Sequence, residues 1–183
     1  MISAVADRPY IYADHLETPR LTTRFLTKDD IRIWTDFFKD KDTVEFFPNY
    51  GYPTNKARSK SWIEKQLLRY KEQRFGLQAL IDKKTNELIG QCGLLIQDID
   101  GKTELEVGYH IFKKYWGQGY APEAAKLFID YAFSNNLADS VTAIIDQRNS
   151  KSQRVADKIG MKRERETKWS GLDVYLYRLY KED

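Results

Sequence analysis

The sequence has few of the residues that build metal sites and disulfide frameworks. Its 183 residues include one cysteine, Cys92, and two histidines, His15 and His110. A single cysteine excludes an intrachain disulfide, and these three residues are too few for a typical zinc site, so we predict no metal. Because Cys92 stands in an apolar segment without a histidine partner, a core thiol is favoured over a nucleophile there.

A strong charge of one sign and a long apolar run are missing as well. The 30 Lys and Arg residues nearly balance the 27 Asp and Glu residues, and the net charge of +3 does not predict binding to nucleic acid or to a membrane. No apolar run approaches the roughly 20 residues that cross a bilayer. Residues 1–12 lack the apolar core of a signal peptide, so we expect a cytoplasmic protein.

The residues that are present predict one α/β (α+β) domain over residues 1–183, with residues 1–16 as an N-terminal arm. Strand-like and helix-like periodicities follow one another in the order β-α-α-β-β-β-α-β-α-β-β. This order predicts a mixed sheet of about seven strands flanked by about four helices. In the strand "TELEVGYHI", one face carries Glu104, Glu106 and His110, whereas the other face is apolar.

The segment "FKKYWGQGYA", residues 112–121, has the composition of a phosphate-binding loop. It precedes a helix whose N-terminus would present unpaired N–H groups and the positive end of the helix dipole. A Walker loop is excluded because Gly-Lys-Ser/Thr is absent, and a dinucleotide fingerprint is excluded because Pro122 replaces the third glycine. A pyrophosphate cradle for coenzyme A remains, with small residues at Gly117, Gly119 and Ala121. A glycine-rich turn without a ligand is the alternative.

With these segments in view, the chain resembles the GNAT family of acetyl-CoA-dependent N-acetyltransferases over about residues 17–179. It is most similar to the branch that acetylates the N-termini of ribosomal proteins, the RimJ/RimL type. The resemblance depends on the order of the segments "ETPRLTTR", "ELIGQCGL", "ELEVGYHI", "WGQGYA" and "RNSKSQRVADKIGM". Trp116 replaces the Arg or Gln that usually opens the acetyl-CoA motif, a replacement common in the ribosomal-protein branch.

The resemblance implies the GNAT fold, with a mostly antiparallel sheet, and acetyl-CoA as the cofactor. It implies that backbone groups of residues 109–111 pair with the pantetheine arm and that the loop after them binds the pyrophosphate. Asn149 and Ser152 would contact the pantetheine, although both residue types also cap helices. The cofactor-binding residues predicted in this way are Tyr109, His110, Ile111, Trp116, Gly117, Gln118, Gly119, Tyr120, Ala121, Asn149 and Ser152.

Acetyl transfer to an amine requires an amine that has lost its proton, and Glu106 is the predicted general base. Glu106 could instead bind a cationic amine or be a solvated strand carboxylate, and His110 is a second candidate base. Many relatives protonate the departing thiolate with a tyrosine seven residues after the motif Asn, but Ala156 stands there. We therefore predict Tyr175 as the acid, with Tyr177, a water or no strong acid as the alternatives.

Aromatic residues crowd the segment "VEFFPNYGYP", residues 44–53. In the resembled family this region borders the acceptor site, so Phe46, Phe47 and Tyr50 are predicted to bind the acceptor. Local packing onto the helices is the alternative.

The predicted activity is transfer of an acetyl group from acetyl-CoA to a primary amine by direct attack. The partner would be a small-molecule amine or a protein N-terminus, and the family implies a monomer or a homodimer. A coenzyme-A-binding module without robust catalysis is a second hypothesis. An aromatic-lined interaction domain that binds no nucleotide is a third.

Overall fold

A seven-stranded sheet with helices on both faces makes up the computed structural model, which describes residues 14–182. The strand order is β1-β2-β3-β4-β5-β7-β6, and every neighbouring pair is antiparallel except β4 and β5. The strands are β1 (Leu21–Arg24), β2 (Gln78–Asp82), β3 (Leu88–Ile99), β4 (Lys102–Ile111), β5 (Ser140–Asp146), β6 (Lys162–Trp169) and β7 (Leu172–Tyr180). The helices are α1 (Asp30–Lys39), α2 (Lys41–Val44), α3 (Asn55–Lys71), α4 (Tyr120–Ser134) and α5 (Ser150–Lys158).

The predicted mixed, mostly antiparallel sheet of seven strands is confirmed, and four of the five helices were expected. The additional helix is α2, which has only four residues. Its N-cap is Asp40, whose carboxylate accepts a hydrogen bond from the Asp42 N–H at 2.9 Å. A single turn of helix has too few residues to show a periodic pattern, so the sequence contains no clear signal for it.

The predicted N-terminal arm, residues 1–16, lies mostly outside the described residues. The part that is described runs beside β1. The His15 N–H donates to the carbonyl of Thr23 at 3.1 Å, and the Thr23 N–H donates to the carbonyl of Leu16 at 2.9 Å. Residues 14–16 are therefore attached to the edge of the sheet.

Side chains alternate along β4, so those on its two faces pack on opposite sides of the sheet. Leu105 and Val107 pack with α4 and α5 in one apolar cluster. The opposite face looks toward α1 and α3, where Trp34 is fully buried and stacks on Phe37 with ring centroids 4.2 Å apart. His110, on this face of β4, therefore lies against an aromatic layer, which is a low-dielectric environment.

Cys92 lies in β3 and is fully buried. Burial raises the pKa of its thiol, so the interpretation as an inert core residue is confirmed. Within residues 14–182, no three side chains of the metal-ligating types cluster closely enough to hold an ion. Across the same range, the helices are too short or too polar to span a bilayer.

Candidate active site

The sheet opens between β4 and β5. The two strands pair in parallel at Glu106 and Thr142. Past this point β4 continues to pair with β3 as far as Ile111, and β5 continues to pair with β7 as far as Asp146. Among the described residues, the edge of β4 after Glu106 therefore has a strand partner on one side only. An unpaired strand edge offers N–H and C=O groups to an extended ligand.

The glycine loop lies at the end of this opening. After β4 the chain makes a 3-10 turn at Lys113–Tyr115 and then enters α4 at Tyr120. Gly117 and Gly119 have φ angles of +74° and +81°, a conformation that favours glycine because it has no Cβ. The first N–H groups of α4 lack intrahelical partners, as at every helix start. The predicted cradle is thus placed where the edge of β4 leads into a helix N-terminus.

Trp116 fixes the loop to the strand. Its indole Nε1–H donates to the carbonyl of Ile111 at 2.7 Å. On the other side, the ammonium of Lys151 in α5 lies 4.3 Å from the Trp116 ring centre, a cation–π contact. The tryptophan therefore bridges the loop and α5 across the opening. The sequence offered no signal for Lys151, because it is one of many exposed lysines.

Asn149 and Ser152 occupy the N-terminus of α5. The Asn149 side chain accepts from the Ser152 N–H at 3.0 Å, so the expected capping role is observed. The Tyr109 hydroxyl donates to the Ser152 carbonyl at 3.1 Å and lies 2.9 Å from the Ser152 hydroxyl. Burial raises the pKa of Tyr109, so this tyrosine stays protonated. It connects β4 to α5 along the opening.

Glu106 is buried on the face of β4 that looks toward α1 and α3, with 8% of its surface exposed. Gln97 Nε2 donates to its carboxylate at 2.7 Å. Burial raises the pKa of Glu106, while the Gln97 hydrogen bond, the charge of Arg69 and the backbone N–H of Ile144 oppose that rise. A carboxylate with a raised pKa accepts a proton more readily than an exposed one, which suits a general base.

Glu104, on the same face, has a different environment. Its two carboxylate oxygens each accept from Arg178 at 2.8 Å, a bidentate ion pair in which both residues are buried. Glu164 contacts the same guanidinium. Glu104 is therefore engaged in a structural ion pair, whereas the hydrogen bonds to Glu106 come from uncharged groups, the Gln97 amide and the Ile144 backbone N–H.

His110 lies in an aromatic cage. Its ring centroid is 4.9 Å from that of Phe47, 5.1 Å from that of Trp62 and 6.4 Å from that of Phe37. Burial lowers the pKa of His110 to about 4, because a charged imidazolium is poorly solvated there. The imidazole is therefore neutral at neutral pH.

This shift predicts that His110 contributes to acid unfolding. As the pH falls below about 6.5, the unfolded chain takes up a proton at His110 that the folded chain accepts only near pH 4. Stability from His110 is thus complete above the unfolded pKa and declines toward pH 4. We expect urea unfolding of the wild type to lose more stability between pH 7 and pH 5 than that of His110→Gln. An equal loss of stability in the two proteins would contradict the lowered pKa of His110. So would an NMR titration of the His110 imidazole near pH 6.5.

The predicted acceptor residues do not all lie together. Phe47 contacts His110 in the aromatic layer, and the Arg148 guanidinium lies 5.6 Å from the centre of the Phe46 ring. Arg148 is held by the buried Asp146 at the end of β5. The segment after α2 therefore spans the mouth of the opening, from β4 to the end of β5. Tyr50 is 60% exposed and contacts Tyr52 instead.

The predicted acid, Tyr175, lies on the other side of the sheet from Glu106. It packs with the α4–α5 core, and the Arg163 guanidinium is 4.5 Å from its ring centre. Ala156, at the position where many relatives have a tyrosine, is fully buried. Burial raises the pKa of the alternative acid, Tyr177. The role of Tyr175 stays a prediction.

Comparison with known proteins identifies the family. The profile described as "Acetyltransferase (GNAT) domain" matches residues 20–162. The chain is 34% identical over 147 residues to the uncharacterized protein YkkB of Bacillus subtilis, covering 80% of this chain and 84% of that protein. The chain belongs to the GNAT family and is an acetyltransferase. The family uses acetyl-CoA as its cosubstrate.

Solved structures show the same fold. An acetyltransferase from Agrobacterium tumefaciens is similar with a TM-score of 0.77 and 25% identity, covering 94% of this chain and 97% of that one. A putative ribosomal-protein-serine acetyltransferase from Vibrio cholerae is similar with a TM-score of 0.76 and 19% identity, covering 91% and 97%. The second likeness concerns the fold alone.

Proposed function

We propose that this acetyltransferase moves the acetyl group of acetyl-CoA to a primary amine by direct attack of the amine on the thioester. The observation that carries the proposal is the opening between β4 and β5, which begins at the buried Glu106 and ends at the glycine loop. The pantetheine arm would pair with residues 109–111, like an added strand. The pyrophosphate would bind the loop, and Asn149 and Ser152 would border the arm.

The chemistry assigned to the residues follows from their environments. Glu106 would take a proton from the acceptor ammonium, directly or through a water, so that the nitrogen lone pair can attack the carbonyl carbon. The carbon–sulfur bond would then break, coenzyme A would leave as a thiolate, and the new amide nitrogen would release its second proton to water. Tyr175 would protonate that thiolate from the opposite face of the sheet. Phe46 and Phe47 would form the wall on the acceptor side, with neutral His110 against Phe47.

The acceptor is proposed to be a protein N-terminus or a small-molecule amine. The order of the sequence motifs supports a RimJ/RimL-like acceptor. A coenzyme-A-binding module without robust catalysis is the competing proposal. The alanine at position 156, where many relatives have the acid, favours it.

Ligand-dependent melting separates these proposals. Acetyl-CoA at about 100 times its dissociation constant would stabilise the fold by about 2.7 kcal/mol. For a chain of this length the melting temperature would rise by about 5–10 °C. Coenzyme A should act similarly, whereas NAD and ATP should not. No shift with acetyl-CoA would contradict the proposed function.

Release of free thiol then tests turnover. With peptides bearing free N-termini and a panel of small amines, thiol should appear only when acetyl-CoA and an acceptor are both present. A melting shift together with no thiol release on any acceptor would favour the binding module.

A further inference from the structure

The segment that precedes β1 reaches the glycine loop, about a hundred positions further along the chain. Arg20 Nη1 donates to the carbonyl of Gln118 at 2.9 Å, inside the loop. Its Nε donates to the carboxylate of Glu123 at 2.7 Å, in the first turn of α4. One guanidinium therefore connects the loop backbone with the start of the helix.

Glu123 places a carboxylate in the first turn of α4, beside the proposed pyrophosphate site. A negative charge in the first turn of a helix is stabilised by the helix dipole. That dipole is the same feature that would attract the pyrophosphate, so an unneutralised Glu123 would compete with it and repel it.

The structure neutralises this carboxylate. Besides Arg20, Glu123 accepts from the Thr18 hydroxyl at 2.5 Å and from the Arg20 backbone N–H at 3.2 Å. Burial alone would raise the pKa of Glu123, but the hydrogen bonds from Thr18 and Arg20 outweigh burial and lower it. The group is thus ionised, and its charge is balanced by the guanidinium.

The bond to Gln118 also orients the next amide. Because the peptide unit is planar and trans, the Gly119 N–H points opposite to the Gln118 carbonyl. A carbonyl held by Arg20 on one side of the loop therefore turns the Gly119 N–H to the other side. A side chain at Gly119 would place a Cβ 3.4 Å from Arg20 Nη2, so the guanidinium packs closely against the loop.

Arg20 is itself held in place. Its guanidinium lies 4.3 Å from the centre of the Tyr120 ring. The Tyr120 hydroxyl donates to Asp82 at 2.6 Å, at the end of β2. Tyr120 thus presents a flat surface fixed to the sheet, and the guanidinium stacks on it.

We propose that Arg20 is a positioning residue for the cofactor: it holds the Gln118–Gly119 peptide in the phosphate-binding orientation and cancels the charge of Glu123. The inference rests on the proposed binding of acetyl-CoA. Arg20 does not need to touch the cofactor, since it acts through the loop and through Glu123. Its side chain is 43% exposed, and exposed ion pairs add little to stability. Its loss should therefore weaken cofactor binding far more than it weakens the fold.

The test is a double-mutant cycle, with the dissociation constant of acetyl-CoA measured by isothermal titration calorimetry. Arg20→Ala is expected to raise this constant by about tenfold or more, since charge-assisted hydrogen bonds are lost. Glu123→Gln alone should change it by less than about threefold. Arg20→Ala combined with Glu123→Gln should bind at least about threefold more tightly than Arg20→Ala, because the unbalanced charge is gone.

Arg165→Ala is the matched control, because Arg165 also forms a partly exposed ion pair, with Asp100 at 3.0 Å, but on β6. It should leave the constant unchanged. If Arg20→Ala folds poorly, Arg20→Lys keeps the charge without the forked geometry and should give an intermediate constant. Wild-type affinity in Arg20→Ala, or no recovery in the double variant, would overturn the inference. No binding by the wild type would overturn the proposed function, and this inference with it.

Discussion

Glu106→Gln is expected to lower the turnover rate by about 100-fold or more while leaving the dissociation constant of acetyl-CoA nearly unchanged. General base catalysis of this kind contributes about 10²–10⁴ to a rate. Glutamine has nearly the same shape as glutamate and can still bond to Gln97, so the site should keep its geometry. Thiol release under saturating acetyl-CoA and acceptor measures the effect.

The pH dependence gives this prediction a second readout. In the wild type the rate should fall as the pH drops through the raised pKa of Glu106, because the protonated acid cannot accept a proton. This limb of the profile should be absent in Glu106→Gln. If the variant keeps the full rate with an unchanged profile, Glu106 is not the base.

Stability should move in the opposite direction from activity. A carboxyl group whose pKa is raised on folding favours the folded state at low pH, and that contribution is lost as the pH rises through the raised value. At neutral pH the buried carboxylate of Glu106 therefore lowers the free energy of unfolding, and the uncharged glutamine removes this cost. Glu106→Gln should melt at or above the wild-type temperature. Glu64→Gln, on the exposed face of α3, is a matched control that should change neither rate nor stability.

Arg178→Met is expected to lower the free energy of unfolding by about 3–5 kcal/mol, because a buried carboxylate loses its partner. Arg178 and Glu104 are 9% and 8% exposed, and two bonds of 2.8 Å join them. Methionine retains much of the apolar stem of arginine but supplies no charge or donor. Urea denaturation at neutral pH measures the loss.

The control for this prediction is a second substitution that removes the orphaned charge. Arg178→Met combined with Glu104→Leu should recover most of the lost stability, since replacing a buried ion pair with apolar residues is often neutral or stabilising. Glu164, the third member, is partly exposed and can be solvated. If Arg178→Met unfolds at the wild-type urea concentration, or if the double variant is no more stable than Arg178→Met, an orphaned Glu104 carboxylate is not what destabilises the variant.

The two faces of β4 show which features of the site could be predicted from the local sequence. Alternation along "TELEVGYHI" predicted that Glu104, Glu106 and His110 share a face, and they do. The Asp100–Gly101 turn also sets the hairpin register, which pairs Gln97 with Glu104 and places it diagonally from Glu106. Gln97 could therefore have been predicted as the partner of Glu106. The contrast between the two glutamates could not, because Arg178 comes from β7, 74 positions after Glu104.

The sequence by itself determined the family, the order of every strand and helix except the one-turn α2, and the two glycines of the loop, because periodicity and positive φ angles are local properties of the chain. Only the tertiary structure determined that β4 and β5 separate and which residues line the opening between them. The opening beside Glu106, the Tyr109–Ser152 link and the contact of Arg20 with Gln118 and Glu123 all join segments far apart in the chain. Such contacts depend on which strands become neighbours and how closely their helices pack. That arrangement is a property of the folded sheet as a whole.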